Sequence, residues 1–216
     1  MTAHASPATP LMPVLFVGHG NPMNAIEETV YAQAWRDTAA ALPRPRAILC
    51  ISAHWETEGT FVTAMAQPKT IHDFYGFPDA LYRVQYPAPG SRELAERVRD
   101  VATSTAVRLD DGYSWGLDHG AWSVLRRMYP EADIPVVQLS LDRTQHPRFH
   151  YDLANELLPL RQEGVLIVGS GNLVHNLRLL QWDATGPYPW AAEFDRLAAE
   201  LILAGEHDRL VAYPAL

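Results

Sequence analysis

Three histidines each follow an apolar run of the chain. His19 comes after residues 13–17 and a glycine, His54 after residues 47–53, and His175 after residues 165–171. Short apolar runs of this kind predict buried parallel strands, and open α/β sheets bind ligands where such strands end. Imidazole is a ligand for zinc and for first-row metals such as iron. We therefore expect these three side chains to converge at one edge of a sheet, with the chemistry of a metal site.

A fourth histidine, His119, lies in the glycine-flanked stretch Gly116-Leu-Asp-His-Gly120. Its side chain is better suited to accept or donate a proton near pH 7 than to bind the metal. The preceding residue, Asp118, is a candidate for orienting its ring. His146 and His150 have the four-residue spacing of some metal ligands. Since no third ligand is near them in sequence, we interpret that pair as structural or surface residues.

The elements that must position these residues alternate between strand and helix. The patterns predict helices at 27–42, 91–101, up to 129, 147–160 and 189–204, and further strands at 60–65, 106–109 and 134–140. This alternation predicts a three-layer α/β domain whose central sheet is mostly parallel and flanked by helices. Residues 66–90 are long, aromatic and rich in proline and glycine, which is equally typical of a binding lid and of a packed Ω-loop.

Composition limits the partners of the chain. Its 216 residues are most economically one domain, and the formal charge of −8 argues against nucleic acid or an anionic membrane as a partner. The single cysteine, Cys50, lies in an apparent buried strand, where inert packing is expected and a disulfide within the chain is impossible. No apolar run approaches the ~20 residues that span a bilayer, and residues 1–12 lack the pattern of a signal peptide. We expect a cytoplasmic protein.

Five motifs, in order, resemble those of the DODA-type, class III (LigB-like) extradiol ring-cleavage dioxygenases, including the bacterial 4,5-DOPA dioxygenase-like proteins. The motifs are Gly18-His-Gly-Asn-Pro22, Ser52-Ala-His-Trp55, His72-Asp-Phe-Tyr-Gly-Phe-Pro78, Gly116-Leu-Asp-His-Gly-Ala-Trp122 and Gly169-Ser-Gly-Asn-Leu-Val-His-Asn176. The likeness runs through most of residues 13–212. It implies a LigB-like fold and an enzyme that opens a catechol ring next to its diol, with a small aromatic diol and O₂ as its partners.

The resemblance also implies roles for individual residues. It implies a mononuclear non-haem Fe(II) site, which zinc often occupies in isolated protein, with His19 and His54 as metal ligands. His175 matches a residue that is a further metal contact in some members and the catalytic base in others. His119 matches an active-site histidine that contacts the substrate or oxygen intermediates.

The segment 66–90 is a candidate wall for the aromatic substrate. We predict that His72, Phe74 and Tyr75 bind the ring and exclude water. Members of the family carry a further carboxyl-terminal segment, commonly with a Thr-Pro-Asp-His-like motif that supplies another metal ligand, and this chain ends at Leu216 before such a motif. Either the sequence is truncated or the protein has lost this ligand. We therefore expect residues 1–216 to be a single catalytic α/β domain lacking that segment, with an incomplete, weak or empty metal site, and leave open whether the enzyme is active in this form.

The sequence is also compatible with two other functions. A zinc-dependent hydrolase would use the same histidines around a metal-activated water, and only the dioxygenase would consume O₂ in proportion to catechol. A non-enzymatic binding protein, like the Memo-type relatives of this fold, is the third alternative, although the four retained histidines argue against it. The sequence does not give the oligomeric state.

Overall fold

A computed structural model of the chain describes residues 11–179 and 185–215. Within these ranges six strands form one sheet, in the order β1-β6-β2-β5-β3-β4. The strands are β1 Val14–Gly18, β2 Ala47–Thr57, β3 Thr60–Thr63, β4 Val107–Asp110, β5 Val136–Asp142 and β6 Val165–Gly171. The pairings between them are parallel, except that β3 meets β5 antiparallel through Val62 and Leu139.

Helices cover both faces of this sheet. The α-helices are α1 Val30–Ala41, α2 Asp79–Tyr82, α3 Arg92–Val101, α4 His119–Met128, α5 Pro147–Glu156, α6 Pro189–Ala204 and α7 His207–Val211. Side-chain oxygens of Thr29, Ser91 and Asp118 accept backbone N–H groups in the first turns of α1, α3 and α4, which fixes where these helices begin. No helix in the described part of the chain is long and apolar enough to span a bilayer.

The core lies in two layers because successive residues of a strand point to opposite faces. In β2, Ile48 and Cys50 pack with Trp35 of α1 and Trp122 of α4. Leu49, between them, packs on the other face with residues of α3 and α5. The prediction of a three-layer α/β fold with a mostly parallel central sheet is therefore confirmed.

Several boundaries differ from the sequence predictions. The first helix begins at Val30, after a 3₁₀ turn at Pro22–Ala25, rather than at residue 27. The helix predicted at 147–160 ends at Glu156, and a 3₁₀ helix containing Pro159 follows, because proline lacks the N–H that a continuing α-helix requires. Helix α6 has the bounds predicted, whereas the short helix α7 after it was not predicted.

Two differences affect the site. Strand β6 lies between β1 and β2, so the two strands of the first β-α-β unit are parallel but not neighbours. Strand β2 continues through His54 to Thr57, with an irregularity in its pairing to β5 between Ile51 and Glu56. His54 therefore lies within a strand and not, as predicted, in a loop after one.

The segment 66–90 packs into the protein. It is irregular apart from α2, yet Phe74, Leu81 and Tyr86 are members of the core, and the Tyr86 hydroxyl donates to the Tyr129 carbonyl at 3.0 Å. These contacts favour the packed Ω-loop of the two alternatives, although the same segment also borders the site described next.

Candidate metal centre

Three imidazoles converge from three different elements. His19 follows the last residue of β1, His54 lies in β2, and His119 is the first residue of α4. One nitrogen from each ring lies within 4.8 Å of the other two, and the Nε2 atoms of His19 and His54 are 3.1 Å apart. We call these residues the three-histidine cluster. It includes His119, which the sequence favoured as a proton carrier rather than a ligand, and excludes His175.

Local backbone features place each ring. The chain turns at Gly20, whose φ of +56° favours glycine and whose N–H donates to the Asn172 side chain at 3.2 Å. Asp118 accepts the N–H of Ala121 at 3.1 Å as the N-cap of α4, which makes His119 the first helical residue. Two strands of the sheet and the first turn of α4 therefore position the three rings. The strand-end pattern of the sequence predicted His19 and His54 but not His119.

Asp73 contacts two of the three rings. Its Oδ1 accepts both the backbone N–H and the Nδ1 of His119, each at 2.9 Å, and its Oδ2 is 3.3 Å from Nδ1 of His54. A carboxylate is an acceptor only, so the ring proton of His119 lies on Nδ1 and its Nε2 keeps the lone pair; the same tautomer of His54 is assigned from its 3.3 Å ion-pair distance to Oδ2. Asp73, and not the adjacent Asp118, therefore orients the ring of His119.

Ser170 holds the third ring. Its hydroxyl donates to the carbonyl of Gly120, so its oxygen accepts from Nδ1 of His19, at 3.0 Å. The proton of His19 thus also lies on Nδ1. Because Gly120 belongs to α4 and Ser170 to β6, this chain of hydrogen bonds ties the helix terminus to His19.

The resulting arrangement suits a cation. When Nδ1 carries the proton in both rings, the Nε2 atoms of His19 and His54, 3.1 Å apart, are both acceptors and can face one cation. Burial, followed by repulsion from His54 and His119, lowers the pKa of His19 to about 3. Burial, followed by repulsion from His119, likewise lowers the pKa of His54, so both rings are neutral at pH 7 and available as ligands.

The spacing is compatible with one shared ion. Imidazole nitrogens bind zinc at about 2.0–2.1 Å, so two of them on one ion lie at most ~4.2 Å apart. The 3.1 Å between His19 and His54 falls inside that limit. Hydrogen bonds from ligand imidazoles to carboxylate and hydroxyl oxygens are also typical of metal sites. The three-histidine cluster could therefore hold a metal ion.

The carboxylate of Asp73 is held in its ionised form. Burial raises its pKa, but the hydrogen bond from the His119 ring and the nearby histidines lower it by more, so the net pKa lies below the usual value. Asp118, in contrast, is fully buried and accepts from Ser52 at 2.7 Å and from the Gln138 amide at 2.7 Å. Ser52 in turn accepts the backbone N–H of His54, so Asp118 supports the backbone of the site rather than a ring.

His175 follows β6 as predicted, but its side chain is exposed and lies outside the three-histidine cluster. It lines a cavity of about 570 Å³ together with Trp190, Glu193 and Phe194. It is near enough to His19 to contribute, after burial and the other two rings, to lowering the pKa of His19. Its roles as a metal contact and a catalytic base stay predictions.

The residues predicted to bind the substrate occupy different positions. Phe74 is buried, and its ring meets that of His119 edge-on with 5.5 Å between centroids. Nε2 of His72 is 2.9 Å from the carbonyl of Val84, within the packed segment. Tyr75 is 94% exposed. The structure thus brings Phe74 to the cluster, and substrate binding by all three stays a prediction.

Asp73 and Ser170 were missed at the sequence level. Neither has a periodic pattern of its own, and both were noted only as members of the motifs at 72–78 and 169–176. Outside the site, His146 is exposed and His150 is partly buried on α5, and neither contributes to the three-histidine cluster.

Known proteins are similar to this chain in sequence and fold. The family model described as the catalytic LigB subunit of aromatic ring-opening dioxygenase matches residues 9–215. A protein of Escherichia coli K12 named 4,5-DOPA dioxygenase extradiol is 52% identical over 185 residues, which is 85% of this chain and 68% of that protein. A Beta vulgaris protein of the same name is 41% identical over 203 residues, or 92% of this chain and 75% of the relative.

A solved structure agrees with these matches. The crystal structure of an uncharacterized protein from Escherichia coli K12 has a TM-score of 0.75 and 45% identity, and covers 88% of this chain and 72% of the other. The family match spans nearly the whole chain, and the relatives share the named activity. The chain therefore belongs to the LigB family of aromatic ring-opening dioxygenases.

Proposed function

We propose that this chain opens the ring of a catechol next to its diol, using O₂ at a mononuclear non-haem metal site. The observation that carries the proposal is the three-histidine cluster, in which one ring nitrogen from each histidine lies within 4.8 Å of the other two and the Nε2 atoms of His19 and His54 are 3.1 Å apart. The family and the names of the relatives support the reaction class. We further propose His19 and His54 as metal ligands and Fe(II) as the active metal, with Zn(II) able to occupy the same nitrogens.

A divalent ion held by these histidines would supply positive charge that attracts the diol oxygens and would supply the redox chemistry toward O₂. The reaction needs no other oxidant, because both oxygen atoms end in the opened ring. Around it, the protein must position the diol, exclude water and take up a hydroxyl proton. Each of these tasks falls to a side chain of this chain.

His119 is the proposed proton carrier. Its Nδ1 donates to Asp73 at 2.9 Å, which leaves Nε2 free to accept a proton from a catechol hydroxyl. The imidazolium formed in that step would lie against an ionised carboxylate, which stabilises it. His175 is retained as a second proposed group, either as base or as a further contact to the metal.

The aromatic ring of the substrate is proposed to lie beside Phe74, with His72 and Tyr75 as the other predicted contacts. The edge-on packing of Phe74 and His119 supports this placement, since it brings an apolar surface next to the proposed proton carrier. We also propose a cytoplasmic location, which the buried, unpaired Cys50 supports.

Oxygen uptake tests the reaction class. The metal-free protein is loaded anaerobically with Fe(II), mixed with DOPA, protocatechuate or simple catechols, and followed with an oxygen electrode. We expect O₂ consumption in proportion to catechol loss, and none with Zn(II) in place of Fe(II). The absence of uptake with every catechol would contradict the proposal, and hydrolysis without O₂ would favour the zinc hydrolase instead.

A further inference from the structure

We propose that Asp73 is a positioning residue of the metal centre, a single carboxylate that sets the tautomer and orientation of His54 and His119 together. The part of this inference that concerns turnover rests on the proposed function. The part that concerns metal binding rests on the geometry alone.

The two carboxylate oxygens of Asp73 contact different histidines. Oδ1 accepts the ring and backbone N–H groups of His119, and Oδ2 lies 3.3 Å from Nδ1 of His54. A carboxylate offers about four acceptor sites, so one group can serve all three donors. An asparagine in its place has one acceptor oxygen, and its NH₂ group would face a ring N–H.

Asp73 is itself held in place by its neighbours. The next residue, Phe74, is buried in the core and packs against Trp122 of α4 with 6.2 Å between ring centroids. On the other side, the ring of His72 is hydrogen-bonded to the Val84 carbonyl. The carboxylate is therefore anchored on both sides within the irregular segment 66–90, and its direction toward the rings is fixed.

The two rings it holds have different proposed tasks. His54 is a proposed ligand, and His119 is the proposed proton carrier, with 4.0 Å between the ring centroids. Holding both Nδ1 atoms at one carboxylate fixes the orientation of the two rings relative to each other. Loss of the carboxylate should therefore weaken metal binding and slow turnover together, whereas a residue with a purely structural role would lower stability alone.

The test uses Asp73→Asn, Asp73→Glu and the control Asp79→Asn. Asp79 is an exposed carboxylate at the start of α2 in the same segment, without a contact to the rings. Affinity of the metal-free proteins for Zn(II) is measured by competition with a chelator. We expect D73N to bind roughly 10- to 100-fold more weakly than the wild type, and D79N to be unchanged. D73E keeps the charge but displaces the carboxylate by one methylene, so it should bind zinc more weakly than the wild type and more tightly than D73N.

A second readout reports the tautomers directly. Long-range ¹H–¹⁵N spectra of the metal-free protein show which ring nitrogen carries the proton. In the wild type, His54 and His119 should both be protonated at Nδ1, and in D73N at least one of them should shift toward the Nε2–H form. Thermal unfolding of each variant establishes that the compared proteins are folded.

Wild-type affinity and unchanged tautomers in D73N would overturn the inference, and so would a variant that is less stable yet binds zinc normally once folded. If D73N does not fold, the zinc affinity of D73E is compared with that of D79N instead. Equal affinities of these two variants would refute the positioning role of Asp73. If the wild type consumes no O₂ with any catechol, the proposed function fails, but the zinc affinities and tautomers still decide the role of Asp73.

Discussion

Gly120 occupies a position at the start of α4 where a methyl group does not fit. A Cβ there would lie 2.5 Å from Oγ of Ser52, 3.0 Å from Cδ2 of His54 and 3.2 Å from Oδ1 of Asp118. Ser52 and Asp118 are both fully buried and bonded to each other at 2.7 Å, so neither can swing away. The Gly120→Ala variant must therefore displace Ser52, the ring of His54 or the first turn of the helix.

The magnitude follows from these contacts. Overpacking lowers the free energy of unfolding by about 1–3 kcal/mol, and weakening the charge-assisted bond between Ser52 and Asp118 lowers it by about 1.5–3 kcal/mol. The higher helix propensity of alanine raises it by about 1 kcal/mol. We expect G120A to lose about 1.5–5 kcal/mol of unfolding free energy relative to the wild type. Since the displaced groups support His54, and the Gly120 carbonyl accepts from Ser170, zinc affinity should also fall roughly 10-fold or more.

Urea unfolding of the metal-free protein and chelator competition measure the two effects. Gly112→Ala is the matched control, because a Cβ there meets nothing closer than Oδ1 of Asp110 at 4.0 Å. G112A should stay within about 0.5 kcal/mol of the wild type and bind zinc normally. If G120A also behaved like the wild type in both assays, the close packing of α4 against the three-histidine cluster would be refuted.

Three further results are expected. His54→Ala should bind zinc more than ~100-fold more weakly in the chelator assay and lose turnover in the oxygen assay. The control His146→Ala, at an exposed position, should keep the wild-type zinc affinity and turnover. An unchanged zinc affinity in H54A would place the metal elsewhere. The Cys50 thiol is fully buried, which raises its pKa, so Ellman's reagent should react only after denaturation, and rapid labelling of the native protein would contradict this burial. Asp118→Asn should lose at least ~2 kcal/mol of unfolding free energy in urea, because its NH₂ group replaces one oxygen and so faces either the donors Ser52 and Ala121 or the donors Gln138 and Trp115. An unchanged midpoint would show that the network matters little.

Periodicity and strand-end logic predicted much of the fold. Apolar runs located strands β1, β2 and β6, and the capping residue Ser91 located α3. The proximity of His19 and His54 also followed, because both come at the carboxyl-terminal part of parallel strands of one sheet. The insertion of β6 between β1 and β2 did not follow, because pairing between strands distant in sequence leaves no local signal.

The remaining parts of the site depend on tertiary contacts. His119 joins the cluster because Asp118 begins a helix there, whereas the glycine-flanked sequence had indicated a loop. Asp73 lies in an irregular segment, and a lone carboxylate without periodicity carries no sign of which rings it will meet. His175, although it follows its strand as predicted, belongs to an exposed stretch whose direction the strand pattern does not determine.

The most direct measurement follows labelled oxygen into the product. Anaerobically prepared Fe(II) protein is given catechol and ¹⁸O₂, and the product is examined by mass spectrometry while O₂ uptake is recorded. We expect a ring-opened product that carries ¹⁸O and is formed in proportion to the O₂ consumed, with neither product nor uptake in His54→Ala. A product that carries oxygen only from water, or equal turnover in the variant, would contradict ring opening at the three-histidine cluster.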